Sequence, residues 1–353
     1  MKDPHPQSGP LDLSKVTLVY TMYNHLGDFI VMGGLLRKFD LLGAECESVA
    51  AHQGSPHMPL FPGRGEDRFF NICTVEGLVR LIGHLRRRKA EGFTIFGLPM
   101  APGSLQAFAF FWFLKKLGAL TYIVDFNLIN ADLITPPRRR YIFDRHLAQA
   151  AEILRRPEWM EECALPPVVA APAVKTARQR WRIGLHPWSG RGSLPEFQWP
   201  DSHWLALAKL ILQDPRFEVA LVGRDDRFST LERFLRSQLP GEARDRFISR
   251  PAASVEDLAA SLQELDCLVT VNTAALHLAH AMKKPLVALC GSSAEMWLPE
   301  GDHVRLVRDA RGVLPPSDKY WHDPLQPSLQ RIEVPEVYAA FGQLVRQFEA
   351  KPA

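Results

Sequence analysis

The chain has 353 residues, which is enough for two domains that each bury a core. Its hydrophobic content of 46% and charged content of 23% are ordinary for a soluble globular protein. A net charge of +3 gives no reason to expect a nucleic-acid partner. No apolar run reaches the roughly 20 residues of a membrane span. The polar, proline-containing amino terminus is unlike a signal peptide, so we expect a cytoplasmic protein.

The cysteines are few and scattered, without CxxC spacing: Cys46, Cys73, Cys163, Cys267 and Cys290. An odd number of distant cysteines argues against both a zinc site and a disulfide framework, and it favours a reducing cytoplasm. We expect them to be small buried hydrophobic residues that bind no metal.

Near the amino terminus, residues 16–20 form a β-rich run and residues 29–39 a helical pattern, joined by the segment TMYNHLGD. Gly27 lets the chain turn there, and Asp28 is predicted where the helix begins. The residues alone leave two roles open for Asp28. It could cap the helix, which is the commoner use of an aspartate at this position, or it could project into a cleft beside His25 as a general base.

The most apolar segment, AFAFFWFL, covers residues 107–114 and precedes Lys115 and Lys116. We expect a helix that is buried on both sides within an α/β layer. The alternative is an aromatic surface that rests on a membrane interface, with the lysines at its edge.

The first half also contains one segment without a periodic pattern and two short basic runs. Residues 52–70 hold Gly, Pro and His and predict a long loop, which in compact domains is often functional or mobile. Two basic runs, residues 86–89 and residues 138–140, indicate an acidic partner only weakly, because runs of charge are usually solvated surface.

Strands and helices alternate in both halves of the chain, which predicts an α/β protein with two doubly wound domains. Proline density rises in the segment LPPVVAAPA, where we place the domain boundary. We expect a first domain over residues 1–165, a linker over residues 166–175 and a second domain over residues 176–330. The last segment, residues 331–353, holds a helix that is expected to pack back toward the first domain.

The second domain opens with a strand over residues 181–186 and the loop PWSGRGSLPEFQWP. Its glycines free the backbone, while Ser189 and Arg191 supply a hydroxyl and a guanidinium, a composition that suits contact with phosphate. No GK[ST] follows, so the loop is not a Walker nucleotide site. Further along, Asp225 and Asp226 follow another strand and could accept hydrogen bonds from a ribose, although capping a helix is an equally good explanation.

The segment from Asp266 to Ser293 predicts a βαβ unit with an anion site. An apolar strand ends at Asn272 and Thr273, which favour helix caps, and an alanine-rich helix follows until Pro285 stops it. The start of that helix lies at the carboxyl end of a parallel sheet, where unpaired N–H groups and the helix dipole attract anions. His277, one turn into the helix, adds a side-chain donor, so a diphosphate is the expected ligand.

Three motifs, in the family's order along the chain, resemble glycosyltransferase family nine, which includes the ADP-heptose:lipopolysaccharide heptosyltransferases. VNTAALHLAHAMKKPLVALCGSS is similar to the family's strand, helix start and following strand. LGDFIVMGGLLRKF is similar to its amino-terminal Leu-Gly-Asp helix. LHPWSGRGSLPEFQWPDSHWLALAKLI is similar to its phosphate loop and the Trp-Pro helix start.

The resemblance implies a GT-B fold, with two Rossmann-like domains facing across a cleft, and inverting, metal-independent transfer with no cofactor. The donor would be a nucleoside-diphosphate sugar, with ADP-heptose the first choice, and the acceptor a lipopolysaccharide, another envelope glycan or a natural product, with a peripheral membrane contact left open. Asp28 would be the catalytic base, and His25 and Arg138 would contact the acceptor. The donor would be bound by Trp188, Ser189, Arg191, Asp225, Asp226, Asn272, Thr273, Ala274 and His277.

The chain departs from the family pattern at three positions within these motifs. Asn272 replaces the family's aspartate and Ala274 replaces its glycine. Phe197 occupies the position of a lysine that the family has shortly before Trp-Pro. These departures favour a divergent member with its own donor or acceptor. They keep two alternatives open, a non-catalytic sugar-nucleotide-binding paralogue that serves as a partner or scaffold, and a GT-B-like nucleotide-sugar epimerase.

Overall fold

The computed structural model describes residues 11–22, 26–52, 69–99, 105–125, 133–134, 141–161, 180–188, 197–223, 227–291, 297–309 and 328–349. The chain divides into two compact units, Met1–Pro166 and Pro167–Ala353. The predicted linker, residues 166–175, lies outside the described residues. No helix within the described ranges is long and apolar enough to cross a membrane.

Twelve strands are described: β1 (Val16–Met22), β2 (Glu47–His52), β3 (Phe69–Asn71), β4 (Thr94–Leu98), β5 (Tyr122–Asp125), β6 (Leu133–Ile134), β7 (Trp181–His186), β8 (Phe217–Gly223), β9 (Phe247–Pro251), β10 (Cys267–Val271), β11 (Leu286–Cys290) and β12 (Val304–Arg308). The α-helices are α1 (Leu26–Leu41), α2 (Val75–Ala90), α3 (Leu105–Lys116), α4 (Ile142–Ile153), α5 (Asp201–Leu212), α6 (Phe228–Gln238), α7 (Gly241–Asp245), α8 (Val255–Gln263), α9 (Ala274–Ala281) and α10 (Val334–Glu349).

The first unit is built on a parallel sheet of six strands in the order β3-β2-β1-β4-β5-β6. The order reverses between β1 and β4, which pair in register from Val16 with Thr94 to Tyr20 with Leu98. Helices α2 and α3 cover one face of this sheet, because buried leucines of α2 and a buried phenylalanine and leucine of α3 join one core cluster with residues of β1, β2 and β4. This is the doubly wound arrangement that the alternating elements predict.

The second unit repeats the same order with its own six strands, β12-β11-β10-β7-β8-β9, again all parallel. Here the order reverses between β7 and β10. The central strands β10 and β11 are buried at every residue, as strands covered on both faces are. Two parallel α/β units of this order confirm the predicted pair of doubly wound, Rossmann-like domains.

The last helix, α10, belongs to the core of the second unit. It contacts α5, β11 and β12, and Val337, Phe341 and Leu344 are buried in the same cluster as the strands of that sheet. The amphipathic spacing of these residues explains why the helix forms against this surface. The prediction that it also packs back toward the first domain stays a prediction.

Several predictions about individual segments are wrong. Helix α3 is not buried on both sides, since Phe111 and Leu114 are buried while Trp112 and Phe113 are exposed. Strand β3 occupies the end of the predicted loop over residues 52–70 and pairs in parallel with β2. Cys73 is exposed, whereas three other cysteines, Cys46, Cys267 and Cys290, are buried as expected.

Candidate functional site

The candidate site lies at the carboxyl ends of β7 and β10 in the second unit. These strands are neighbours, yet β7 continues toward β8 on one side and β10 toward β11 on the other. In doubly wound folds the connections leave in opposite directions where the strand order reverses, and the crevice at that edge of the sheet is the usual ligand position. Four of the predicted donor residues, Trp188, Asn272, Thr273 and Ala274, follow directly on these two strands.

The floor of this crevice is a buried contact between His186, the last residue of β7, and Thr270 of β10. Oγ1 of Thr270 lies 3.3 Å from Nδ1 of His186 and 3.2 Å from its carbonyl oxygen. It lies 2.9 Å from the carbonyl oxygen of Val271. Both side chains are buried, so these polar contacts fix the two strand ends relative to each other without competition from water.

Above this floor, α9 begins with a side-chain cap. Thr273 has an extended backbone, and its hydroxyl accepts a hydrogen bond of 3.1 Å from the N–H of Ala275. Its carbonyl accepts another of 3.1 Å from the N–H of Leu276. Asn272, Thr273 and Ala274 are half-buried, so the first turn of the helix remains accessible from solvent. The cap confirms that the helix starts where the sequence predicted, at the position suited to an anion.

His277 is nearly enclosed, with 3% of its surface exposed, and its ring lies edge-on to Trp297 at 6.3 Å. Burial lowers the pKa of His277 to about 4, because the charged imidazolium is poorly solvated in this environment. At neutral pH the ring is therefore uncharged, and it offers one N–H donor and one acceptor rather than a positive charge. The neutral ring of His277 is sufficient for its predicted role, which is to donate a hydrogen bond to a diphosphate.

Gly223, the last residue of β8, packs against His186 and Trp188. Its φ of +137° lies in a region that other residues rarely adopt, and a Cβ there would lie 2.9 Å from Cδ2 of His186 and 3.0 Å from Cε3 of Trp188. The backbone of β8 thus passes directly against both rings. The predicted ribose contacts, Asp225 and Asp226, come immediately after this glycine and lie outside the described residues.

Trp188 belongs to the hydrophobic core of the second unit. It is 4% exposed, and its ring lies 5.3 Å from that of Phe228 and 5.9 Å from that of His186. The ring therefore supports the crevice from below, and contact between Trp188 and a nucleotide base stays a prediction. Phe197, at the position of the family's lysine, is also buried and brings no polar group to this edge.

The first unit carries Asp28 at the corresponding place, beyond the end of β1. Helix α1 is described from Leu26, so Asp28 lies in its first turn. The chemical roles of Asp28 stay predictions. Four other predicted site residues lie outside the described residues: His25, Arg138, Ser189 and Arg191.

The structure adds three residues that the sequence did not single out, namely His186, Thr270 and Gly223. Thr270 is the one hydroxyl in the otherwise apolar strand CLVTV, and His186 is the polar end of WRIGLH. A polar residue at the buried end of a strand is the signal that could have identified both. Within the described residues, no group of three or more His, Cys, Asp or Glu side chains is arranged to hold a metal ion.

The family model described as glycosyltransferase family 9 (heptosyltransferase) matches residues 141–316 of the chain. This range contains the whole crevice, from β7 to the end of β12. No curated protein sequence matches the chain.

Solved structures of similar fold span nearly the whole chain. The ADP-heptose lipopolysaccharide heptosyltransferase II of E. coli is 17% identical with a TM-score of 0.62, over 95% of this chain and 100% of its own. A family 9 glycosyl transferase from Veillonella parvula is 15% identical with a TM-score of 0.61, over 96% and 99%. The E. coli heptosyltransferase WaaC, solved with ADP-2-deoxy-2-fluoro heptose, is 14% identical with a TM-score of 0.57, over 94% and 99%. At these identities the likeness establishes the fold.

Proposed function

This chain belongs to glycosyltransferase family 9, and we propose that it transfers a sugar, with heptose the first choice, from a nucleoside-diphosphate donor to an acceptor hydroxyl. The observation that carries this proposal is the capped start of α9 at the point where the strand order of the second unit reverses. A helix start at such a crevice suits the diphosphate of a nucleotide sugar.

ADP-heptose is the proposed donor. The WaaC structure, which shares the fold, contains an ADP-heptose analogue. In this chain the diphosphate would lie at Asn272, Thr273 and Ala274, with the neutral ring of His277 donating one hydrogen bond. Ser189 and Arg191 would contact the phosphates, and Asp225 or Asp226 the ribose.

The proposed reaction is an inverting displacement without a metal ion. The acceptor oxygen forms a bond to the anomeric carbon, while the bond from that carbon to the diphosphate oxygen breaks and its electron pair leaves with the diphosphate. Asp28 takes the proton of the acceptor hydroxyl. The dipole of α9 and the donors around it stabilise the charge that develops on the leaving group.

The acceptor is proposed to be a lipopolysaccharide or another envelope glycan, with a small natural product as the other possibility. His25 and Arg138 are its proposed contacts.

The experiment measures release of ADP from ADP-heptose by the full chain, with and without lipopolysaccharide acceptors that lack heptose. Asp28→Ala is expected to lower turnover by about 10²–10⁴-fold, the range for loss of a general base, while ADP binding persists. Asp40→Ala is the matched control, because Asp40 lies exposed on the same helix and is expected to leave turnover unchanged.

Unchanged turnover in Asp28→Ala would remove the assignment of the base. If the chain binds ADP but releases none from ADP-heptose with any acceptor, the result would favour the non-catalytic paralogue. The changes at Asn272 and Ala274 are the specific observation that supports this alternative. Conversion of the sugar nucleotide in the absence of an acceptor would favour an epimerase.

A further inference from the structure

The first unit exposes an apolar surface on two helices. Four of the six large hydrophobic side chains that are exposed in the described part of the chain lie on α2 and α3. They are Val75 (82% exposed), Val79 (61%), Trp112 (51%) and Phe113 (43%). Such a concentration on one pair of elements marks a contact surface rather than scattered surface hydrophobics.

The two helices are neighbours on the same face of the sheet. Nη2 of Arg86 donates to the carbonyl oxygen of Leu117, just beyond α3, at 2.7 Å, and Nζ of Lys89 donates to that of Leu120 at 3.2 Å. Arg86 shares one side of α2 with Val75, Val79 and Ile82, since these residues are spaced i, i+4, i+7 and i+11. The exposed valines therefore lie on the side of α2 that is turned toward α3.

On α3, exposed apolar residues extend as far as the lysines of the last turn. Ala109, Phe113 and Lys116 follow the i, i+4, i+7 spacing along its exposed side, with Trp112 beside them. Nζ of Lys116 lies 5.2 Å from the centre of the Trp112 ring, so the aromatic surface ends in a cation–π contact.

The charge carried by these two helices is mainly positive. Helices α2 and α3 together carry seven basic residues, Arg80, Arg86, Arg87, Arg88, Lys89, Lys115 and Lys116, and one acidic residue, Glu76. Glu91, just after α2, is paired with Arg88 at 3.0 Å, and Arg88 also binds Glu47. All but one of the basic residues lie in the last two turns of the helices, so they form a cationic border at one end of the apolar surface.

We propose that α2 and α3 form a docking surface for a membrane whose lipids carry anionic headgroups. Tryptophan and phenylalanine insert favourably at the boundary between headgroups and acyl chains, and lysine and arginine beside them attract anionic lipid. A protein partner would need a complementary acidic surface, whereas a membrane supplies the apolar layer and the negative charge together. The surface binds lipid whether or not the second unit transfers sugar.

The experiment is sedimentation of the full chain with vesicles of phosphatidylcholine alone or phosphatidylcholine with phosphatidylglycerol in a 3:1 ratio. Binding is expected only to the anionic vesicles, and it weakens when the salt rises from about 50 to about 500 mM, because screening shortens the reach of the charges. The double substitution Trp112→Ala with Phe113→Ala is expected to lower the partition coefficient about tenfold or more. Phe234→Ala, an exposed aromatic on α6, is the matched control and is expected to bind as the unchanged chain does.

A second measurement tests whether Trp112 enters the lipid. Vesicles with brominated acyl chains are expected to quench part of the tryptophan fluorescence, and Trp112→Phe is expected to bind normally but lose that quenched part. Absence of binding to anionic vesicles by the unchanged, folded chain would overturn the proposal. So would equal binding by the double variant, or a double variant whose only change is loss of self-association, which would assign the surface to a second copy of the chain.

Discussion

The hydroxyl of Thr270 lies 3.3 Å from Nδ1 of His186 and thereby links the ends of β10 and β7, the two strands between which the order of the second sheet reverses. The segments that follow them supply the proposed diphosphate site. The precision of that site thus depends on a buried polar contact beneath it, which itself faces no solvent.

Thr270→Val tests this link, because valine keeps the shape and the strand preference but removes the hydroxyl. We expect a loss of about 1–2 kcal/mol in the free energy of unfolding measured by urea titration, because Nδ1 and the carbonyl oxygen of His186 lose the hydroxyl that they contact. The affinity for ADP should fall as well. Thr270→Ser should retain both, and Thr94→Val, half-buried at the start of β4, controls for the change of residue type. A valine variant as stable as the unchanged chain would show that the contact contributes nothing.

Gly223→Ala is expected to destabilise the second unit by about 1–3 kcal/mol, because its φ of +137° is strained for alanine and the new Cβ would meet the His186 ring at 2.9 Å. Thermal unfolding measures the effect. Gly241→Ala is the control, since a Cβ there meets nothing within 4 Å. Equal melting temperatures for the two variants would contradict the close packing described.

Thr273→Ala removes the hydroxyl that caps α9 and accepts from the N–H of Ala275. We expect a loss of about 1 kcal/mol of stability and weaker binding of ADP, because the first turn that faces the diphosphate becomes less ordered. Thr273→Ser should behave as the unchanged chain. Calorimetric titration with ADP measures the affinity, and an unchanged affinity in the alanine variant would argue against a diphosphate at this helix start.

The stability of the second unit is expected to fall in mild acid. Burial lowers the pKa of His277 to about 4 and, with a contribution from the neighbouring His303, that of His280 to about 3. The unfolded chain binds protons at these histidines below about pH 6.5, whereas the native chain does not, so the free energy of unfolding decreases as the pH falls from about 6.5 to 4.

His277→Gln should remove part of that pH dependence, on the order of 2–3 kcal/mol between pH 7 and pH 4. Urea titrations at a series of pH values measure it. Two other charged groups lie near His277 and His280. Lys283 lowers the pKa of the neighbouring His303, and Asp302 raises it. A variant that shows the same slope as the unchanged chain would mean that His277 titrates normally in the native state.

The βαβ unit at the proposed donor site could be predicted almost residue by residue. Its signals are local: Thr273 caps the helix, Pro285 follows its end, and the strands on either side are uninterrupted apolar runs. Other strands were missed because their sequences are weak. β2, with the sequence ESVAAH, contains few β-branched residues, and it forms because β1 and β3 pair with it on both sides.

Burial was harder to predict than secondary structure. The segment AFAFFWFL is equally apolar on all sides, so its sequence cannot show which residues the sheet will cover. The position of α3 over β5 decides that Phe111 is buried and Trp112 is exposed. The contact between His186 and Thr270 depends in the same way on two strands that are 84 residues apart in the chain.

The proposed donor site at the ends of β7 and β10 is expected to bind an adenosine diphosphate group. The most direct test is thermal unfolding of the full chain with ADP, UDP or GDP at equal concentration. ADP is expected to raise the melting temperature, by an amount that corresponds to about 2.7 kcal/mol at a hundred times its dissociation constant, and Thr273→Ala should reduce the shift. No shift with any of the three nucleotides, or a shift with UDP or GDP that exceeds the one with ADP, would contradict the claim.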